Sequence, residues 1–195
     1  MKRIPSQFLF KSRKILKVYC ALAFLFSVIC LQAQVANYQL DRLGDNLFQV
    51  SLIPNVTYTN PNNLVNSAQV VVKVKTGGFA VSNLTNLINT GLSNEVSFTN
   101  SSRNNAPALN PGYDYISFSL QSGATTDIPF TTGVPVPLFT FQNGGICTQD
   151  SLYLIRTDDP FHFSNNSGVA NTQHQLTVLG FGGPDAPVDL SLIHI

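Results

Sequence analysis

The stretch "AQVVVKVK" (residues 68–75) puts Val70, Val72 and Val74 on one side of an extended chain and Gln69, Val71, Lys73 and Lys75 on the other. Successive side chains of a strand point to opposite faces, so this period-two pattern reads as a half-buried strand. "DYISFSLQ" (114–121) repeats it, with Ile116, Phe118 and Leu120 set against Tyr115, Ser117, Ser119 and Gln121. "LFQVSLI" (47–53) does the same with Phe48, Val50 and Leu52. Further strands are expected at 78–82, 94–99, 126–131, 136–142, 151–157 and 174–181. Between them sit "IPNVTYTNPNN", "TGG", "NNAPALNPG", "TTGVP", "NGG" and "NNSG". Gly supplies positive φ, Pro presets φ and Asn tolerates the left-handed region, so these are turns. About nine short strands with such punctuation predict an all-β, antiparallel sandwich over residues 42–181. An immunoglobulin-like sandwich of about seven strands is the competing topology. Val70, Val72, Val74, Ile116, Phe118, Leu120, Leu152, Leu154, Leu176 and Val178 are expected inside, with Phe48, Phe139 and Phe141. One short helical turn is expected at "NLTNLINTG" (83–91), where Leu84, Leu87 and Ile88 are spaced i, i+3, i+4 and Gly91 fits a stop.

The front of the chain is different. Six basic residues precede residue 18, and Val18–Leu31 is an uncharged apolar run followed by small and polar residues. That order is a secretory signal peptide, a helix expected over residues 1–34 and cleaved near Ala33 or Gln34. The apolar run is too short to span a bilayer core comfortably. Without it, five basic residues remain against all ten acids, a net charge of −5, and no Lys/Arg cluster survives. Nucleic acid is an unsuitable partner for such a surface, and no membrane span is expected after signal removal. Cys20 and Cys30 leave with the signal, so Cys147 has no disulfide partner within the mature chain. It is read as a buried apolar thiol, or as one whose partner lies outside these residues.

Catalytic signatures are absent from the sequence: no H-E-x-x-H, G-x-S-x-G, phosphate loop or dinucleotide fingerprint occurs. Cys147 has no spacing that selects His162 or His174 as a base. Asp158–Asp159 in "RTDDPFHFSNNSG" reads first as a polar turn after a strand. The alternative is a calcium loop with oxygen ligands from Asp158, Asp159, Asn165 and Asn166; no other cofactor is expected. Tyr58, Tyr113, Tyr115 and Tyr153 are the outward-facing aromatics. Tyr113 and Tyr115 flank Asp114, a grouping that suits a sugar ring and its hydroxyls; the alternative is tyrosines packed at the sandwich rim. Asn55, Asn83, Asn100 and Asn165 begin N-x-S/T triplets, relevant only in a glycosylating host.

"GDNLFQVSLIP", "AQVVVKVKTGGFAVSNLTNL", "DYISFSLQ" and "PVPLFTFQ" ahead of "SLYLI" come in an order that resembles the cohesin-like and carbohydrate-binding-module β-sandwiches of secreted bacterial proteins. The resemblance covers about residues 42–181. It implies a nine-stranded jelly-roll-type sandwich used for docking or glycan binding. The signal segment and the Asn/Thr-rich style look like cell-surface proteins of the Bacteroidetes, in which such modules are strung ahead of a sorting domain. No dockerin motif or sorting domain occurs in these residues.

The domain reading is therefore a signal peptide at 1–34, a sandwich at 35–181, a linker at 182–189 and a separate tail at 190–195. "LSLIHI" (190–195) follows the Gly- and Pro-rich "GGPDAPV" (182–188) with no turn to return it to a sheet. Its codons, read as CTG TCT CTT ATA CAC ATC, resemble a transposon-end sequencing adapter, so the natural chain is expected to continue after about Val188 into further domains. The function expected is a non-catalytic extracellular or cell-surface binding module, with protein docking or adhesion ahead of glycan binding. The alternative is the accessory domain of a secreted polysaccharide-degrading enzyme. The contact loops expected are Tyr113–Tyr115 and 158–166, since loops on a rigid frame carry recognition.

Overall fold

The computed structural model describes residues 36–88, 97–121, 126–145, 152–162, 172–179 and 191–194. The expected signal segment, Cys147, Asn165 and Asn166 lie outside them. In chain order the strands are β1 (Ala36–Gly44), β2 (Leu47–Pro54), β3 (Leu64–Lys75), β4 (Val81–Asn86), β5 (Ser97–Asn104), β6 (Tyr113–Gln121), β7 (Thr126–Asp127), β8 (Val136–Asn143), β9 (Tyr153–Leu154), β10 (Gln175–Val178) and β11 (Ser191–His194). No helix occurs among the described residues, and so none there is long and apolar enough to cross a membrane.

The strands form two sheets. The first has the order β11-β1-β2-β8-β4, and the second β10-β3-β6-β5 with β7 and β9 also paired to β3. Every pair is antiparallel except β1 with β11. The two sheets bury their facing sides against each other, as a sandwich requires. Of the thirteen residues expected inside, twelve are 9% exposed or less, and Phe48 is partly buried against them. At the centre Phe118 of the second sheet meets Phe139 and Phe141 of the first, ring centroids 5.0 Å apart in both cases. Phe98 lies 4.7 Å from Phe139, and Phe48 stacks on Phe141 at 5.6 Å. Such ring pairs add about 0.5–1.5 kcal/mol each beyond their area burial.

Side chains join the two sheets along both sides. Asn86 of β4 acts like a missing peptide unit: its carbonyl accepts from the Phe98 N–H (2.5 Å) and its amide donates to the Phe98 carbonyl (3.4 Å). On the opposite side Tyr38 of β1, fully buried, donates its hydroxyl to the Gln175 carbonyl of β10 at 2.8 Å. Burial pushes the Tyr38 phenol well above its ordinary value, so it stays a neutral donor.

Several sequence expectations are corrected. The helical turn is not formed at its start: Val81–Asn86 is a strand, and the Leu87 N–H continues toward β8 by donating to the Leu138 carbonyl. Pairing with β8 overrode the i, i+3, i+4 spacing; residues 89–91 lie outside the described set. Strand β1 was not expected, although Ala36, Tyr38 and Leu40 alternate inward with Asn37, Gln39 and Asp41. The tail expected to stay off the sheet pairs with β1 over Ser191–His194, in register Tyr38↔Ser191 to Asp41↔His194. Of the strand expected at 151–157, the described residues 152–157 are paired as strand only at Tyr153–Leu154.

The turn after β8 depends on glycine. A Cβ on Gly145 would sit 1.9 Å from the Gly78 carbonyl oxygen, a backbone atom that cannot swing aside. Gly112, by contrast, has nothing within 4 Å of such a Cβ. Gly145→Ala should therefore cost roughly 2 kcal/mol or more in equilibrium urea unfolding, and Gly112→Ala about 0.5 kcal/mol or less. Equal costs would contradict this account of the turn.

Candidate functional site: a cleft on the outer face of the second sheet

Strand β3 is covered on both faces. Val70, Val72 and Val74 face the sandwich core, whereas Val71 belongs to a second cluster with Tyr115, Ile155 and Phe161. That cluster forms because the edge beside β3 is interrupted. β9 pairs with it at Val72–Lys73, and β10 at Val65–Gln69. After Ile155 the chain leaves the edge and brings Asp159 and Phe161 over the outer face. The Phe161 ring packs on Tyr115 at 4.6 Å.

His174 fills the gap in the ladder. The Ile155 N–H donates to the Val71 carbonyl at 3.0 Å. The Val71 N–H has no strand partner at this point and donates instead to His174 Nδ1 at 3.3 Å. His174 Nε2 lies 3.0 Å from the Ile155 carbonyl, so with Nδ1 accepting, Nε2 carries the proton and donates. A second proton would set Nδ1–H against the Val71 N–H. Burial, opposed by the Ile155 carbonyl and aided by nearby His162, pushes the imidazole down from its ordinary 6.5 to about 4.

Lys73 is the charged centre of the outer face. The registers Lys73↔Tyr115 and Lys73↔Tyr153 set these three residues in one row across β6, β3 and β9. The ammonium lies 4.1 Å above the Tyr113 ring and 2.5 Å from Asp159 Oδ2. The other carboxylate oxygen, Asp159 Oδ1, accepts from the Tyr115 hydroxyl (2.7 Å) and the Phe161 N–H (2.9 Å). The Asn110 amide donates to the Tyr115 oxygen at 2.7 Å. Burial raises the Asp159 carboxyl, but the hydrogen bonds from Lys73, Phe161 and Tyr115 and the Lys73 charge outweigh it and hold the group below its ordinary value. Burial and the ionised Asp159 push the Tyr115 phenol well upward.

Beside this cluster opens a cleft of about 590 Å³, lined by Lys73, Tyr113, Tyr153, Leu154, Arg156, Asp158, Asp159 and Pro160. Arg156 and Asp158 form an exposed pair on its wall, Nε to Oδ1 3.3 Å. Tyr153 is half-buried, and among the described residues no side-chain hydrogen bond or ring contact engages it.

The residues singled out from the sequence are distributed differently from expectation. Tyr113, Asp114 and Tyr115 lie in strand β6, not in a loop, so Asp114 points away from the two tyrosines. Asp114 shares the inner face with Val74 and Ile116 and is 2% exposed. It accepts from Arg103 (2.5 Å), the Ala106 N–H (2.9 Å) and Thr76 (3.1 Å), while Arg103 also donates to the Phe79 carbonyl at 2.6 Å. Burial raises this carboxyl too, and those donors outweigh it and keep it low. Tyr115 is 0% exposed and presents no ring face to solvent; Tyr113 alone of the three lines the cleft. Asp158 is exposed and Asp159 is buried in the Lys73 pair, so the two adjacent acids do not converge. Asn165 and Asn166, the other expected calcium ligands, fall outside the described residues. Among those described, no three His, Cys, Asp or Glu side chains gather as a metal ion needs. The pairing of Cys147 with His162 or His174 likewise falls outside them. Tyr58 packs on Phe130 at 6.0 Å.

Two residues were missed. Lys73 was read only as an outer-face residue, yet a lone cation inside an otherwise apolar run calls for a partner. Val71 makes "VVV" three consecutive valines, which marks a strand covered on both sides. No protein-family model, curated protein or solved structure matches the chain.

Removing one member of the buried pair strands the other. Lys73→Met should cost roughly 3 kcal/mol, and Asp158→Asn, on the exposed pair, about 0.5 kcal/mol or less. Thermal or urea unfolding of both variants reads this contrast directly, and a costly Asp158 with a silent Lys73 would reverse the assignment.

The His174 arrangement sets an acid dependence. Its folded value lies below the unfolded one, so the unfolded chain takes up the proton first. The contribution is complete above pH 6.5 and is lost as pH falls toward about 4, roughly 3 kcal/mol in all. Asp114 and Asp159, also lowered, lose their contributions only below their ordinary 3.8. Unfolding free energy measured from pH 7 to 4 should fall in the parent chain and be much flatter in His174→Gln; the same slope in both would refute the neutral-imidazole account.

Proposed function

We propose that this chain is a non-catalytic, secreted or cell-surface binding module that holds its partner in the cleft on the outer face of the second sheet. The observation that carries the reading is Tyr153: an aromatic side chain, half-buried in a recess of about 590 Å³, with its ring and hydroxyl uncommitted among the described residues. Recesses of this size, with a few fixed polar groups, hold small ligands or single segments of larger ones. The surrounding scaffold supports that use. The row Tyr115–Lys73–Tyr153 stands on three hydrogen-bonded strands, and the Asp159 carboxylate fixes Lys73 from the opposite side. A site on strands is held more rigidly than one on loops.

Catalysis asks for groups free to exchange protons or attack, such as an activated nucleophile with its base. The buried polar groups here are engaged otherwise: Asp159 by three donors, His174 by the β3 ladder, Asp114 by Arg103. The signal-like front segment supports an extracellular setting, and the net charge of −5 without it supports partners other than nucleic acid.

Retention of the purified chain on immobilised extracellular polysaccharides and surface proteins tests the proposal. Binding should be lost on Tyr153→Ala and kept on Asn100→Ala, a change at an exposed position of β5. No polysaccharide should gain reducing ends on incubation with the chain. Release of reducing ends, or retention indifferent to Tyr153, would overturn it.

A further inference from the structure

A sheet edge is a row of backbone donors and acceptors that another strand can pair with, and folded proteins blunt their edges with short strands and bulges. Three of the sheet edges here are blunted in that way. β4 has a register shift between Ser82 and Thr85, with Asn83 at a φ of 47° between them. β5 has a shift between Asn100 and Ser102. The edge along β3 is broken into β7, β9 and β10, of two, two and four residues. The edge at β1 is different. β1 has nine residues, contains neither Pro nor Lys, and keeps an unbroken register with β2 from Ala36 to Arg42. On this edge a further strand is seated: β11, four residues long and the sole parallel strand among those described.

β11 belongs to the tail whose codons resemble a sequencing adapter. Strand addition draws its affinity from main-chain hydrogen bonds and makes few demands on side-chain identity, so such a segment can occupy the edge. The tail pairs with Tyr38–Asp41 only, four of the nine residues of β1. A longer strand running the same way would pair with more of the edge. The side chains of β1 state what that strand needs to carry. Tyr38 and Leu40 belong to the core, and an aliphatic residue matched to Leu40 extends the same apolar face. Asp41 alternates to the other face, half-buried, where its carboxylate accepts from the Gln39 amide at 2.7 Å. That donor is neutral, and cross-strand pairs of opposite charge are stabilising, so the position matched to Asp41 favours a cation. Ten acids against five bases beyond residue 34 also draw a basic segment toward the chain.

We propose that the outer edge of β1 is a second binding site, which takes an extended segment of a partner protein by parallel strand addition, with an aliphatic residue matched to Leu40 and a lysine or arginine matched to Asp41. The partner displaces the tail from the edge. This site uses β1 and not the cleft, so it stands independently of the cleft's reading as a binding surface.

The test is fluorescence anisotropy of a labelled peptide of about ten residues, alternating valine and threonine, with one lysine placed to match Asp41. It should bind the whole chain saturably. The double change Leu192→Pro and Ile193→Pro removes two consecutive tail amides, and with the tail no longer competing it should tighten binding about tenfold or more. Methylating alternate peptide amides should abolish binding in one phase and spare it in the other, because only every second N–H of an added strand faces β1. These peptide changes leave the fold of the chain untouched. Norleucine in place of the lysine should weaken binding about threefold in the parent and leave it unchanged in Asp41→Asn. No binding to the double-proline variant, or binding indifferent to the methylation phase, would overturn the proposal. A norleucine effect that persists in Asp41→Asn would overturn the register assigned to the partner. A concentration-dependent dimer that disappears on the double-proline change, with no peptide bound, would give the edge to a second copy and overturn the partner segment.

Discussion

The edge of β3 has backbone groups that must be paired, and neither neighbouring strand segment is long enough to pair them all. β9 ends at Leu154 and β10 begins at Gln175. A buried N–H left without an acceptor costs as much as a lost hydrogen bond or more. At Val71 the chain meets that demand with the His174 imidazole, which receives the Val71 N–H on one nitrogen and faces the Ile155 carbonyl with the other. One side chain thus spans the gap between the two edge segments. The chain is thereby free to leave the sheet between them without leaving the ladder open, and the rest of the outer face follows from that freedom.

Once the chain crosses the outer face, the second sheet has two buried sides. On the inner side this is ordinary sandwich packing. On the outer side it creates a problem, because Lys73 is already there and its strand cannot move. Asp159, carried in by the crossing segment, neutralises the ammonium, and Tyr115 and Phe161 complete the hydrogen bonding of its second oxygen. The interaction is local, but its sequence separation is 86 residues. It fixes the crossing segment to the sheet at the point where the cleft opens. The same pair that anchors the segment also neutralises Lys73 and Asp159 against each other in the cleft wall.

How much of this the sequence reveals depends on the range of the interaction. The inner face was legible from "VVVKV" and "DYISFSL", because side-chain alternation is a local rule and one buried face enforces it. The second sheet's outer face was only half legible. Val71 already broke the alternation, but what covers it comes from the stretch around Phe161, whose approach no local pattern encodes. Tyr113, Asp114 and Tyr115 show the same limit. Their residue types suggested one binding group, although the alternation read in that very segment separates Asp114 from its neighbours. Strand β1 is masked in the sequence by the small and polar residues that follow the apolar front segment, which resemble a cleavage site and run directly into the inward Ala36, Tyr38 and Leu40. The helical spacing at Leu84, Leu87 and Ile88 gave way to pairing with β8, as weak local preferences do when a sheet edge is available.

Beyond residue 34 the chain has only five Lys and Arg, and two of them, Lys73 and Arg103, are tied to buried carboxylates. Those carboxylates, Asp159 and Asp114, come from the two motifs whose residue types most suggested chemistry, "TDDPF" and "YDY". In a protein with few charges, each buried ion pair needs both partners in place, and a prominent acid beside an aromatic is then first a requirement of the fold. Arg103 illustrates it: one guanidinium joins β5 to Asp114 of β6 and to the Phe79 carbonyl, where the chain passes from β3 to the other sheet. Residue type therefore says little about function here; commitment says more. Tyr153 has the same side chain as Tyr115 and Tyr38, but those two hydroxyls are engaged by Asp159 and by the Gln175 carbonyl. What distinguishes it is that, among the described residues, no hydrogen bond or ring contact engages its side chain, in a position the sheet holds still.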